Sequence, residues 1–298
     1  MTTVLVFGAA GQVGRELVDL RWPGGLRAVG LDRAAADITD SGAVARALAA
    51  ARPALVVNAA AYTAVDKAEQ EETRALAVNR DGAANLAGAC AARSLKLIHL
   101  STDYVFDGSK QGAYLEHDQV CPLGVYGASK QAGEAAIRDL LSQHVILRTA
   151  WVFGVHGNNF VKTMLRLGAE RPTLRIVADQ QGCPTEAADI ARAVARIAAT
   201  LVGAPGPDQF GTFHFAGQPP TSWHGFAQEI FRRVEAVGRP VPALGAITTA
   251  DYPTPARRPV NSVLDSGKLA RLYGIAPCDW RAALDRVLGT LLGAMQTA

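Results

Sequence analysis

Charge is scarce in this sequence. Charged residues make up 19% of its 298 residues and apolar residues 49%. The usual charged share is about 25%, so a chain this apolar is not a disordered one. Lys+Arg 30 against Asp+Glu 27 leaves a net charge of +3, and no run of five basic residues occurs. Nucleic acid and anionic membranes are therefore poor partners for it. No apolar stretch approaches the ~18 residues of a membrane span. The opening MTTVLVFGAAG lacks the basic region of a secretory leader and reaches glycine early, so a cytoplasmic protein is expected. The four cysteines, Cys90, Cys121, Cys183 and Cys278, lie too far apart for a CxxC zinc knuckle and suit a reducing compartment. Repeats and low-complexity segments are absent too.

What remains is an α/β pattern. Apolar runs at 4–7, 27–31, 55–58, 97–100 and 145–147 are apolar nearly throughout, as strands buried on both faces of a parallel sheet are. Helical stretches fall between them near 12–20, 41–51, 73–93 and 124–141, with Asp40 or Ser41 capping the second and Thr73 the third. The alternation predicts a doubly wound parallel sheet of Rossmann type. The second half is less regular: helices near 159–170, 187–202, 222–237, 266–273 and 279–295, strands at 174–177 and 212–215, and a Gly/Pro-rich break at 203–211. Prolines 240, 242, 253, 255 and 259 argue against a long regular element between 239 and 259. The expected division is a dinucleotide-binding domain over 1–150 and a smaller α/β substrate lobe over 151–298. A later segment, about 187–215, is expected to return to the first domain.

Chemistry enters at three places. Gly8, Gly11 and Gly14 form a GxxGxxG turn directly after the first strand. That position suits a tight turn, close approach of backbone to a pyrophosphate, and an anion on the helix N-terminus. The second strand ends at Asp32-Arg33. A carboxylate there favours a ribose 2′-hydroxyl and a guanidinium favours a 2′-phosphate, so NADH and NADPH both stay open. Asp37-Ile38 is placed to meet an adenine edge.

Tyr126 and Lys130 lie four residues apart on one helical face. Reducing a ketone takes a hydride and a proton, and a phenol near pKa ~10 gives its proton more easily beside an ammonium. Thr102 and Asp103 follow the fourth strand, where ligands of open α/β sheets bind. A hydroxyl there suits a substrate carbonyl, and a carboxylate suits a sugar hydroxyl.

These features resemble the extended short-chain dehydrogenase/reductase family. Six further blocks are similar to its dTDP-4-dehydrorhamnose reductase branch: NAAAYTAVDKAE at 58–69, STDYVFDG at 101–108, RTAWVF at 148–153, GNNFVKTM at 157–164, DQQGCPT at 179–185 and PARRPVNS at 255–262. The resemblance implies NAD(P)H-dependent reduction of a 4-keto dTDP-sugar to dTDP-L-rhamnose, for cell-envelope polysaccharide. By motif, Tyr126 is the proton donor, Lys130 tunes it and holds the nicotinamide ribose, and Thr102 polarises the carbonyl. Gly8, Gly11, Gln12, Val13, Asp32, Arg33, Asp37, Ile38, Ala60, Thr63, Ala64 and Val65 then meet the dinucleotide. Thr102, Asp103, Trp151, Asn159, Arg258 and Asn261 meet the sugar nucleotide.

Some family members are dimers bridged by Mg²⁺. Glu16 matches one such position, but Glu186 and Asp189 fall outside the pattern, so no metal ligand is assigned and a monomer or homodimer is expected. Two alternatives stand beside reduction. One is an epimerase or dehydratase with retained NAD, against which the single acid after Thr102 argues. The other is a non-catalytic regulatory subunit of the methionine adenosyltransferase type, against which the joint presence of Thr102, Tyr126 and Lys130 argues.

Overall fold

Six apolar runs become the strands of one parallel sheet in the computed structural model, which describes residues 1–294. In chain order they are Thr2–Phe7, Leu26–Leu31, Leu55–Asn58, Lys96–Thr102, His144–Thr149 and Gly211–His214. Across the sheet the second strand lies beside the first, followed by the third, fourth, fifth and sixth. The register pairs Val4 with Ala28 on one side and with Leu55 on the other. The strand order therefore reverses at the first strand, and the crevice for a ligand opens there, beyond the carboxyl ends.

Both faces of the sheet are covered, which is why the strands read as continuous apolar runs. Leu5, Phe7, Val56, Leu97 and Ile146 pack on one side against Val44, Leu48, Leu86 and Ile137 of the helices Ser41–Ala51, Gly82–Ala91 and Val125–Leu140. Val4, Val6, Leu55, Val57, Ile98 and Val145 pack on the other against Leu17 of Gln12–Asp19 and against Ile190, Val194, Ile197 and Leu201 of Ala187–Val202. Each fully buried side chain of this size contributes ~1.5–3 kcal/mol. The segments Ala187–Val202 and Gly211–His214 thus belong physically to the sheet, although residues of another lobe precede them.

That second lobe is built on Phe153, Val161, Met164, Leu174, Ile176, Phe226, Ile230, Phe231, Trp280 and Leu284. The helices Phe160–Glu170 and Trp223–Ala236 cover one face of a two-stranded parallel ribbon, Thr173–Val177 with Ala243–Ile247, and Trp280–Ala294 shares their core. The second of these strands lies within the proline-rich stretch. Ten residues separate Pro242 from Pro253, enough for a five-residue edge strand whose amides no proline removes.

The expected 73–93 helix is broken. It runs as Glu72–Leu76, a π-helical segment Ala77–Asp81, and Gly82–Ala91. Thr73 is not its cap: Glu71 stands at the N-terminus with no side-chain cap bond. Asp40 does cap its helix, accepting from the Gly42 and Ala43 amides. The π segment is anchored by contacts distant in the chain. Asn79 within it accepts from Tyr62 N at 2.9 Å and donates to Tyr62 O at 3.0 Å and to Ser129 Oγ at 2.9 Å. One buried carboxamide thereby ties the loop after the third strand to the helix that carries Tyr126 and Lys130. Such single π turns recur beside functional sites.

Candidate active site

Gly8 opens the crevice at φ +85°, and a Cβ there would stand 2.4 Å from Ala60 N. Gly14 is equally constrained, since its Cβ would meet Gly8 O at 2.0 Å. Only glycine lets the turn, the third-strand loop and the first helix close to this extent. Gly11 begins that helix without a side-chain cap, so the first amides stay available to an anion. A cavity of about 260 Å³ adjoins the turn, lined among others by Gly8, Gly11, Asp32, Arg33, Asp37 and Ile38. Ala60 lines it as well, and so do Tyr62 and Arg74, which the sequence reading missed. Arg74 lies over the Tyr62 ring at 5.7 Å. Nothing local in the sequence distinguishes that arginine from other helical ones.

The two residues bearing on the 2′ position are differently engaged. Asp32 accepts the Ala35 amide at 2.8 Å, closing its own turn. Arg33 donates to Asp37 at 2.9 Å while its side chain remains 71% exposed. Asp37 also accepts from Thr39, chiefly its amide, which lowers its pKa. Gln12 faces the second lobe, where its Oε1 accepts from Asn159 Nδ2 at 3.0 Å. Asn159 is therefore a lobe-to-lobe tie and the cap of its own helix, accepting from the Lys162 amide. Val13 packs on the core. Thr63 and Ala64 are exposed, and Val65 starts a short helix.

At the carboxyl ends of the fourth and fifth strands the acid–base groups converge. Thr102 donates to Asp103 Oδ1 at 3.0 Å, and its hydroxyl also bonds the Tyr126 phenol. Burial pushes the Tyr126 phenol up to about 12, against that hydrogen bond. Burial likewise pushes the Asp103 carboxyl up to about 6, and its Oδ2 is buried with no partner. Lys130 is 2% exposed. Burial pulls its pKa down to about 8, against the pull of Glu134. Its Nζ turns to Leu100 O at 2.7 Å and to His99 Nε2 at 3.1 Å. The expected lowering of the phenol by the ammonium is thus not what these contacts provide, because Nζ is held on the fourth strand.

The second lobe closes the cleft with aromatics. Trp151 adopts φ +47°, a conformation rare for a bulky residue. It stacks face to face on Trp223 with centroids 3.5 Å apart. Its indole also lies over Gly182, where a Cβ would come within 2.3 Å of the ring. Strain of this kind persists only where surrounding packing holds it, often at a ligand site. Trp223 lines a cavity of about 610 Å³ with Phe160, Met164, Tyr252 and Arg258. Arg258 spans the lobes: it pairs with Asp66 at 2.8 Å and hydrogen-bonds Tyr104, whose ring meets Tyr126 edge to face at 5.6 Å.

Asn261, read as a substrate contact, is not brought here. Its carboxamide donates to Lys110 O at 2.8 Å and Gly112 O at 2.7 Å, on the wall of a separate cavity. A strand-like bridge from Asn261 to Gln181 holds it there.

A metal does not fit the acids weighed for one, Glu16, Glu186 and Asp189. Glu16 faces His156 at 3.8 Å. Glu186 and Asp189 are both bound by Arg192 and Arg286, so guanidinium groups already occupy their oxygens. Among the described residues no cluster of three metal-ligating side chains occurs, and no helix is long and apolar enough to cross a membrane.

Comparison with known proteins extends over the whole chain. The family model described as the RmlD substrate binding domain matches residues 1–292. A dTDP-4-dehydrorhamnose reductase of Aggregatibacter actinomycetemcomitans is 45% identical over 290 residues, covering 96% of this chain and 98% of its own. A crystal structure of a dTDP-4-dehydrorhamnose reductase from Clostridium acetobutylicum superposes with a TM-score of 0.91 at 36% identity, over 98% of this chain and 100% of that one. A Bacillus anthracis dTDP-4-dehydrorhamnose reductase, solved in complex with NADP, superposes with a TM-score of 0.89 at 35% identity, over 97% and 99%.

Proposed function

The chain belongs to the RmlD substrate-binding-domain family, and on that footing we propose that it reduces the C4 ketone of dTDP-4-dehydro-6-deoxy-L-mannose to give dTDP-L-rhamnose. It is an NAD(P)H-dependent oxidoreductase, and the reaction is the last step of dTDP-rhamnose synthesis. One observation carries the reading of the site. Thr102 and Tyr126 are hydrogen-bonded at the end of the fourth strand with Lys130 one turn on along the helix, and Arg258, bonded to Tyr104 beside them, lines a cavity of about 610 Å³.

The cofactor fits the residues present. The amides after Gly8 and Gly11 would take its pyrophosphate, and Asp32, Arg33, Asp37 and Ile38 its adenosine end. When bound, NAD(P)H supplies the hydride. The protein supplies the rest. Thr102 turns its one hydroxyl hydrogen from Asp103 Oδ1 to the C4 carbonyl oxygen and draws charge onto it. Tyr126 gives its phenol proton to that oxygen as the alkoxide forms, and the phenolate recovers a proton from solvent, so one hydride and one proton make the alcohol. The orphan Oδ2 of Asp103 accepts from a sugar hydroxyl, which supplies the partner this buried oxygen lacks. Arg258, with Arg171 and Arg175 on the same cavity wall, offers positive charge to the diphosphate. Trp151 and Trp223 provide flat apolar faces for the sugar nucleotide. The four free thiols fit a reducing compartment.

The test is to follow NADPH and NADH oxidation with the keto-sugar generated in situ from dTDP-glucose by the preceding dehydratase and epimerase. Formation of dTDP-rhamnose with one equivalent of reduced cofactor consumed is the expected result. Retained NAD with no net consumption would point instead to an epimerase.

A further inference from the structure

Tyr252 and Arg258, on the wall of the 610 Å³ cavity, belong to one strap of chain, residues 249–260. The strap is pinned at both ends. Asp179 accepts the Thr249 amide at 2.9 Å, and Val260 O accepts the Gln181 amide at 2.7 Å. Between these points the first domain reaches it through Asp66, which accepts the Ala256 amide at 3.3 Å on Oδ1 and Arg258 Nη2 at 2.8 Å on Oδ2. Asp66 lies in the short helix Val65–Ala68. Just before that helix, Ala59–Tyr62 forms part of the wall of the dinucleotide crevice. Just after it, Glu69 accepts the Val125 amide at 2.9 Å, where the helix carrying Tyr126 begins. One segment, 59–69, therefore touches the cofactor cavity, the strap and the reacting helix.

We propose that Asp66 is a positioning residue that couples the two cavities: a dinucleotide seated against 59–62 steadies Asp66, and Asp66 fixes Arg258 and the strap in the arrangement that receives the second ligand. The inference deepens the reductase reading and rests on it for one point, that the second ligand is a sugar nucleotide. Its physical basis is the weakness of the pair. The Asp66 and Arg258 side chains are 41% and 23% exposed, and an ion pair so open to water holds little by itself. It closes firmly where its two sides are already ordered. The first ligand orders one side, so the second finds less left to order, and each strengthens the other. The coupling is reciprocal by linkage. Tyr104 also bonds Arg258, but from the end of the fourth strand. Asp66 is the contact continuous in the chain with the cofactor wall.

The primary test is hydrogen exchange, read by mass spectrometry on the peptide covering 249–255, with and without NADPH. NADPH should slow exchange there in the unaltered protein, and the slowing should be lost in Asp66→Ala. No slowing in the unaltered protein, or equal slowing in Asp66→Ala, overturns the proposal. This arm needs no sugar nucleotide, so it decides the proposal even where the reductase reading fails. The second test is calorimetric titration with dTDP. In the unaltered protein NADPH should tighten dTDP by a factor within about 5–150, and in Asp66→Ala that factor should fall towards one. Asp66→Asn keeps an oxygen for the Ala256 amide and loses the charge facing Arg258, so it should retain part of the factor. With the keto-sugar, Asp66→Ala should raise KM and leave kcat in place. The full factor persisting in Asp66→Ala would assign Asp66 to the surface alone and sink the idea.

Discussion

One helix, Val125–Leu140, carries two buried charges four residues apart, and their surroundings are opposite. Glu134 is saturated. Arg148 grips it through two bonds, at 2.9 and 2.7 Å, and Ser101 donates at 2.6 Å. Burial alone would raise its pKa, but the hydrogen bonds and charge of Arg148 outweigh burial and hold it below the usual carboxylate range. Lys130 is starved of any free acid: its Nζ reaches Leu100 O and His99 Nε2. Asp103, at the end of the fourth strand, keeps a buried oxygen with no partner. A buried charge with every bond made is architecture, and one left short is poised for a reactant. The difference separates scaffold from chemistry within a single turn of helix.

The comparison breaks most sharply if the starved side proves structural. Tyr126→Phe should lower kcat by a factor on the order of 10²–10⁴ while the melting temperature and nucleotide affinity stay put. A large loss of stability in that variant would put Tyr126 on the wrong side of the divide. Glu134→Ala should do the reverse. It strands Arg148, only 3% of whose side chain is exposed, and should cost about 3–5 kcal/mol in denaturant unfolding, with the folded fraction keeping its kcat.

Gly8→Ala comes next. With φ +85° and backbone at 2.4 Å, the turn must shift, and nucleotide affinity measured by calorimetry should fall by about 1–3 kcal/mol. Unchanged affinity would mean that the turn holds no phosphate.

The smallest effect is a pH dependence of opposite sign on the two acids. Glu134, with its pKa lowered, contributes stability that is present above its unfolded value, ~4.3, and lost as pH falls through its folded one. Asp103 is pushed up to about 6. The folded state therefore holds that proton more tightly, and its ionisation costs stability as pH rises past the unfolded value, ~3.9, and through about 6. Asp103→Asn should raise the melting temperature more at pH 8 than at pH 5, by the equivalent of about 1–2 kcal/mol, while raising KM for the sugar nucleotide. An equal effect at both pH values would show that the Asp103 carboxyl is not held off its ordinary range.

Much of this was legible in the chain. The unbroken apolar character of 4–7, 55–58 and 97–100 reports two-sided burial, because a strand covered on both faces has no polar alternation to show. Gly8, Asp32, Thr102 and the Tyr126/Lys130 spacing are local signals, each set by a strand end or a helix turn a few residues away. Local geometry also placed Asp40 as a cap. The strand Ala243–Ile247 escaped because its pairing partner lies some seventy residues earlier and its edge position tolerates nearby prolines. The π segment escaped because its cause, Asn79 bonding to Tyr62 and Ser129, spans fifty residues.

The sequence by itself determined the six strands of the main sheet, the turn and the candidate reacting groups, since neighbours along the chain dictate those. Only the tertiary structure decided what each group faces. It put His99 and Asn58 behind Lys130, Trp223 on Trp151 and Asp66 on Arg258. It took Asn261 away to the 110–112 loop, and it set Arg192 and Arg286 on Glu186 and Asp189. Protonation, strain and pairing depend on distances of a few ångströms between residues far apart in the chain, and no periodicity encodes those.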